Sequence, residues 1–350
     1  MVKLKVLIVC LLLIPVSALA QDAATIPASY QLNGFTHIYQ RWNNCGPATL
    51  TMGLTHYGFA ADQLPAANWL KPNPEDGNVS PWQMAEYVNT QAGGTVRALW
   101  RYGGTLERLK TLIASGFPVI IEEGYEPYDH QGNYLGWMGH YLLLTGYDDA
   151  QQVFYAQDSY IGPNQAYTYD HIDEFWQHFN RVYIVLYDAG QEAAVLALLG
   201  TDADPQQNAI NALEAARAEA LADPTDHFAW FNMGTSFVAL GMHQEAAVAY
   251  DQARTVGGGL PWRMLWYQFG PYEAYNAVGR YQDTLELARA VIDNSGTARY
   301  IEETYYYAGV AREALGELDR ARDNYAAAVE LNSNYVAAIE ALNRLQGTTG

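Results

Sequence analysis

Cysteine is almost missing from this chain of 350 residues, which holds two, Cys10 and Cys45. Basic residues are scarce as well: 19 Lys and Arg stand against 38 Asp and Glu, a formal charge of −19. That balance excludes nucleic acid as the partner, because phosphate backbones are bound by Lys and Arg patches. Its consequences are solubility and repulsion between copies. The eight histidines include no His-x-x-x-His pair, so the signature of a helical zinc site is missing. Asp129-His130 and His171-x-Asp173 are isolated pairs, and no metal or cofactor is expected. No βαβ alternation is visible either, which argues against a parallel doubly wound sheet.

The first apolar run is too short for a membrane span. Lys3 and Lys5, the apolar stretch Val6 to Pro15 and the small-residue site Ala18-Leu-Ala20 read as a secretory signal over 1–20. Cys10 lies within its apolar core, which speaks against a lipoprotein cysteine. A secreted or otherwise extracytoplasmic chain is expected, with no integral membrane segment after cleavage. Cleavage removes two of the 19 basic residues, leaving 17 against 38 acidic ones and a formal charge of −21. It also leaves Cys45 as the single thiol, so no intrachain disulfide can form. A lone thiol in a secreted chain pairs between molecules or serves chemistry.

Cys45 precedes Gly46-Pro47-Ala48, and Pro47 suits the first turn of a helix that closes near Gly58. Unpaired N–H groups at a helix start stabilise a thiolate, the reactive form. A buried structural cysteine is the plainer alternative. Residues 62–82 read as a loop or broken helices, Ser80-Pro81 as a helix start, and Thr105 as the cap of another helix. Strands are expected at 95–100, 117–121, 140–147, 153–157 and 181–187. Helices early and strands later describe an α+β domain over 21–190 on a mainly antiparallel sheet.

After a linker at 191–205 the composition turns to Ala, Glu, Leu and Tyr at helical spacing. Gly241, Gly279 and Gly316 recur 38 and 37 residues apart. Around them recur Trp230, Gly234, Ala246 and Tyr250, then Tyr272, Tyr275 and Ala288, then Tyr305, Gly309, Ala321 and Tyr325. Each unit reads as helix, glycine turn, helix. The pattern resembles the tetratricopeptide repeat family. An all-α array over 206–346 is expected, with a leading helix at 206–222 and a closing one at 335–345. Such arrays offer a surface for a protein or peptide partner.

A nucleophilic cysteine needs a base, best held by a third group. His140 opens a strand after Gly136-Trp-Met-Gly139, and Asp158 follows the next strand by one residue. Gln40 lies five residues before Cys45 and could supply an oxyanion donor. Spacing alone does not bring the four together. However, Gln40…Cys45-Gly-Pro-Ala, His140-Tyr-Leu-Leu-Leu-Thr-Gly-Tyr and Ala156-Gln-Asp158-Ser resemble the C39-like cysteine peptidases, a papain-like group, over about 26–187. The resemblance implies Cys45 as nucleophile, His140 as base, Asp158 as orienting group and Gln40 as oxyanion donor. It implies hydrolysis of a peptide or amide bond in a peptide or protein substrate. Many relatives carry Asp-Pro where this chain has Asp158-Ser159. Classical members are fused to transporters, which this chain lacks, so their substrate is not carried over. A non-catalytic scaffold of the same fold is the alternative.

Overall fold

The computed structural model describes residues 26–129, 131–293 and 299–347. The expected signal segment and His130 lie outside them. The first part is built on a seven-stranded open sheet in which every pairing is antiparallel. Its strands are β1 Ser29–Gln31, β2 Val96–Arg101, β3 Val119–Tyr125, β4 Met138–Asp148, β5 Val153–Asp158, β6 Gly162–Thr168 and β7 Tyr183–Asp188. The order is β2-β7-β3-β4-β5-β6, with β1 laid on β4.

The central strands read as continuous apolar runs because both faces are covered. One face carries Ile120, Leu143, Ile184 and Leu186 against helices α1 (Cys45–Thr55), α2 (Leu64–Leu70) and α3 (Pro81–Gln91). The other carries Val119, Ile121, Leu142, Leu144 and Val185 against α4 (Leu106–Ala114) and α5 (Tyr169–Gln177). Local signals start several helices. Gln83 Oε1 accepts the Ser80 N–H at 2.7 Å ahead of Pro81, and Thr105 Oγ1 accepts the Arg108 N–H at 3.1 Å.

Two elements escaped the sequence reading. Strand β6 is an edge strand with mostly exposed side chains, so it lacks an apolar run. Helix α5 is announced only by the cap Thr168, which accepts the His171 N–H, and by buried Tyr169, Ile172 and Trp176. The stretch read as a linker is also ordered. It holds α6 (Glu192–Leu199), whose Val195 and Leu199 are fully buried in the core of the first part.

The rest of the chain is helical: α7 Pro205–Ala222, α8 His227–Ala239, α9 His243–Ala253, α10 Gly270–Ala277, α11 Tyr281–Ile292, α12 Glu302–Ala314, α13 Leu318–Leu331 and α14 Val336–Gly347. Repeat packing explains two of the recurring glycines. A Cβ on Gly234 would come within 2.5 Å of the Tyr250 ring, and one on Gly309 within 2.6 Å of the Tyr325 ring. Helices therefore approach closely where small residue faces large.

The array folds back onto the sheet domain instead of standing away from it. Trp137, Phe179 and Val182 share one apolar cluster with Phe228, Phe231, Met264 and Tyr267. Each large side chain buried there contributes about 1.5–3 kcal/mol. Polar contacts line the seam from end to end. Near its start, Arg101 donates to the Asp202 and Ala203 carbonyls at 2.7 and 2.6 Å, and Asn208 and Tyr102 exchange two hydrogen bonds. In the middle, Gln268 Nε2 donates to the His178 carbonyl at 2.9 Å. At the far end, Asn334 Nδ2 donates to the Trp69 carbonyl at 2.9 Å. No described helix is long and apolar enough to cross a membrane.

Candidate active site

Cys45 is the first residue of α1, and its neighbours are fixed by an unusual loop. Asn43 sits at φ +53, a left-handed conformation tolerated by Asn. Its carbonyl accepts the buried Lys71 ammonium at 3.2 Å, and its Nδ2 donates to the Glu75 carbonyl at 3.1 Å. Gln63 pins the same loop: its Oε1 accepts from Arg41 N and Asn44 Nδ2, each at 3.0 Å, while its Nε2 donates to the Tyr39 carbonyl at 2.9 Å. Asn44 thus spends its side chain on Gln63 and does not cap the helix. The helix start packs closely at Gly46, where a Cβ would meet Val79 tightly at 3.3 Å and both Met84 and Tyr141 at a contact distance of 3.5 Å.

His140 lies on β4, 4% exposed, and Asp158 at the end of β5 is fully buried. The ring's Nε2 is 2.9 Å from Asp158 Oδ1. Burial pulls the His140 pKa down, but its interactions with Asp158 and Cys45 outweigh burial and raise it to about 10. Asp158 behaves in the opposite sense. Burial pushes it up, and bonds from His140, Tyr167 and backbone N–H groups bring it to about 2. Its Oδ1 also accepts the N–H groups of Tyr160 and Ile161 at 2.8 and 3.1 Å, and its Oδ2 accepts the Tyr167 hydroxyl. The carboxylate is thereby satisfied on both oxygens without leaving the interior.

Gln40 lies beside the turn after Asp158. Its backbone N–H donates to the Ser159 carbonyl at 2.8 Å, and its Oε1 accepts the Ser159 hydroxyl at 2.8 Å. The serine that departs from Asp-Pro therefore holds the Gln40 amide by its oxygen, leaving Nε2 as the free end of the group. The four residues singled out from the sequence are thus linked in two ways: Cys45 to His140 by charge and His140 to Asp158 by a hydrogen bond, and Gln40 to the adjoining Ser159.

Sequence reading missed the supporting residues. Tyr167 and Lys71 carry no motif, Ser159 stood out only as a departure from Asp-Pro, and the roles of Ser159, Tyr167 and Lys71 come from contacts across 119, nine and 28 residues of chain. Glu123 is harder still: it sits opposite His140 in the β3–β4 register, is 1% exposed, and has His171 Nε2 3.6 Å from its Oε2. His171 and Asp173 do not act together, since Asp173 pairs with Arg181 at 3.1 Å. Among the described residues no group of three or more His, Cys, Asp or Glu is placed to hold a metal ion.

The repeat array closes one side of this region. A Cβ on Gly139, next to His140, would lie 2.8 Å from Phe179 and 3.0 Å from Tyr267. Tyr267 is buried, and the charge of Cys45 is close enough to bear on it. The site is therefore walled by α1, β4 and the stretch between α9 and α10.

No curated protein matches the chain. Among solved structures, the "MamA RS-1 ArsTM double mutant" is 17% identical over 46% of this chain and 86% of its own, with a TM-score of 0.36. "MamA 41-end from Desulfovibrio magneticus RS-1" is 16% identical over 45% of this chain and 95% of its own, with a TM-score of 0.33. Likeness at that level leaves the arrangement of the helices to be argued from this chain's own residues. The sequence model of the Peptidase_C39 like family matches residues 24–190, the stretch that holds the whole sheet together with Gln40, Cys45, His140 and Asp158, and it is to that family that the N-terminal domain is similar.

Proposed function

We propose that the chain is a thiol-dependent hydrolase of peptide or amide bonds, acting outside the cytoplasm, with the repeats contributing to capture of a peptide or protein. The observation that carries this reading is the His140 ring, bonded at Nε2 to a fully buried carboxylate and interacting with the chain's Cys45. A histidine kept protonated by both neighbours is suited to donate to a leaving amine. In the proposed cycle the Cys45 thiolate attacks the carbonyl carbon, and the Gln40 amide and the Cys45 backbone N–H receive the oxyanion. The C–N bond breaks as His140 passes its proton to the amine. With the sulfur acylated its negative charge is gone, so one of the influences raising the His140 pKa is removed. The neutral ring then takes a proton from water, the hydroxide attacks the thioester carbonyl, and the C–S bond breaks to release the acid and restore the thiolate.

The test is alkylation of Cys45 by iodoacetamide from pH 5 to 9, followed by mass spectrometry. The wild type should react at a rate that persists below neutral pH, and His140→Ala should lose that acid-side reactivity by about tenfold or more. Equal profiles for the two proteins would remove the catalytic reading. A second reading, a binding protein built on the same fold, is favoured by the extent of the seam: the repeats wall off the thiol's surroundings with Tyr267, which packs beside Phe179 of the sheet domain. It predicts peptide binding with no dependence on His140.

A further inference from the structure

A cavity of about 420 Å³ lies in the seam between the sheet domain and the repeats. That volume falls within the range of small-ligand sites, roughly 300–1,000 Å³. Its walls come from both sides: Trp82, Trp100 and Glu122 from the sheet domain, and Glu273, Glu303 and Tyr307 from the repeats, among others. Three of the residues lining it are carboxylic acids, and no Lys, Arg or His is among them. Of the three acids, Glu273 has a basic side chain, His243, close enough to act on it electrostatically.

The acids are not casual surface groups. Glu122 is 3% exposed and Glu303 is 5% exposed. Glu303 Oε2 is buried with no hydrogen-bond partner, an expensive arrangement for a carboxyl group. Burial, with Glu302 and Asp76 close by, pushes the Glu303 pKa well up, and burial does the same to Glu122. An arriving cation would relieve both. The aromatic walls suit the same guest, because ring faces attract a desolvated ammonium or guanidinium. Trp82, Trp100 and Tyr102 form a chain of rings with centroids 6.1 and 5.2 Å apart.

The cavity also adjoins the thiol. Glu122 pairs with Tyr141 across β3 and β4, one residue from His140, and Cys45 is near enough for its charge to act on Glu122 as well as on Tyr267. We infer that the cavity is a specificity subsite for an organic cation, the side-chain ammonium or guanidinium of a basic residue in the substrate, received by Glu122 and Glu303. Attaching that cation to a scissile peptide rests on the thiol-hydrolase reading; the preference for a cation does not.

The experiment uses the full chain carrying Cys45→Ala, so that nothing is consumed, and reads binding by calorimetry and by the fluorescence of Trp82 and Trp100. The probes are N-acetyl-lysine amide, N-acetyl-arginine amide and N-acetyl-norleucine amide, the last being nearly the same shape as the first without its charge. Lysine or arginine amide should bind at least about tenfold more tightly than norleucine amide, a difference of about 1.4 kcal/mol. Glu303→Gln and Glu122→Gln, which preserve shape, should each abolish most of that preference while leaving the norleucine affinity unchanged. Equal affinities for the charged and neutral probes, a preference for the neutral one, or a lysine preference untouched by both substitutions would each overturn the subsite. Alkylation of Cys45 in the otherwise wild-type protein is scored separately. His140-dependent alkylation without cation preference leaves the hydrolase reading standing and removes the subsite. Cation preference without His140-dependent alkylation keeps the subsite and moves it to a binding protein.

Discussion

The molecule buries charge in two places, and it treats them oppositely. In the His140–Asp158 pair each charge has its counterpart: the imidazole faces Asp158, and both carboxylate oxygens are filled by the ring, Tyr167 and two backbone N–H groups. In the seam, Asp76, Glu302 and Glu303 are buried at 2%, 2% and 5% exposure with Lys71 as the one buried cation among them. Glu302 Oε2 and Glu303 Oε2 have no partner. A satisfied network fixes geometry. An unsatisfied acid seam weakens the fold unless something fills it. The first arrangement suits groups that must stay in place, the second a surface that meets a partner.

The largest effect should come from breaking the satisfied side. Asp158→Ala leaves the His140 ring buried without its anion, and loss of one member of such a pair costs about 3–5 kcal/mol. Urea unfolding should show that loss, and alkylation of Cys45 should fall together with it. A milder outcome, below about 1 kcal/mol, would mean the pair is far less dependent on burial than its geometry indicates. Next is the wall between the two regions. Gly139→Ala places a methyl group 2.8 Å from Phe179 and 3.0 Å from Tyr267, and overpacking of this kind costs about 1–3 kcal/mol. Combined with Gly139→Ala, Phe179→Leu should restore stability from the sheet-domain side and Tyr267→Leu from the side the repeats supply, and rescue by the second tests whether the repeats seal the site.

The two regions also differ in their response to pH, the site losing stability toward both extremes and the seam only as pH rises. His140 has its pKa raised in the fold, so its contribution is complete below its ordinary value near 6.5 and is lost as pH climbs through about 10. Asp158 is depressed, so its contribution is present above the ordinary carboxylate range and is lost as pH falls through about 2. Between the ordinary carboxylate range and about pH 6.5 the pair's contribution is constant. Glu303 is raised instead, so the folded state binds more protons than the unfolded one, and stability drops as pH rises above the ordinary glutamate range. Glu303→Gln should therefore raise the melting temperature at pH 8 and leave it unchanged at pH 4, with Glu302 and Asp76 adding to the same trend. A rise at both pH values would put the effect in packing and not in charge. The smallest effect should be Ser159→Ala, which removes the hydroxyl holding Gln40 but keeps the backbone bond between the two. Stability should barely change. Binding of a peptide aldehyde, whose adduct carries an oxyanion, should weaken about five- to tenfold, while alkylation by iodoacetamide stays as it was and Ser159→Thr restores the aldehyde affinity.

Local chemistry made much of this legible in advance. Pro47 and Pro81 open helices where a missing N–H does no harm, and Thr105 caps one. The runs at 117–121, 140–147 and 181–187 became β3, β4 and β7 because a strand covered on both faces needs apolar residues throughout. The same logic hid β6, whose side chains mostly face water. Among the site residues, His140 and Asp158 could be suspected from their places at strand ends. Ser159 could not, because a hydroxyl 119 positions from its partner leaves no periodic trace. The acids of the seam were invisible for a related reason. Glu302 and Glu303 open α12 as first-turn acids do on any helix, and only the return of the array onto the sheet domain takes them out of water.

That return has a consequence for how the array can change. A free solenoid gains or loses a unit at little cost, because each unit touches only its neighbours. Here the first turn after α6 is tied to Arg101 and the loop before α14 is tied to Trp69. An inserted or deleted unit would carry Asn334 away from Trp69 and shift Glu303 out of register with Glu122. The number of repeats is therefore set by the span between two fixed points, as the length of a chord is set by its circle, and related chains that keep both anchors should keep the count.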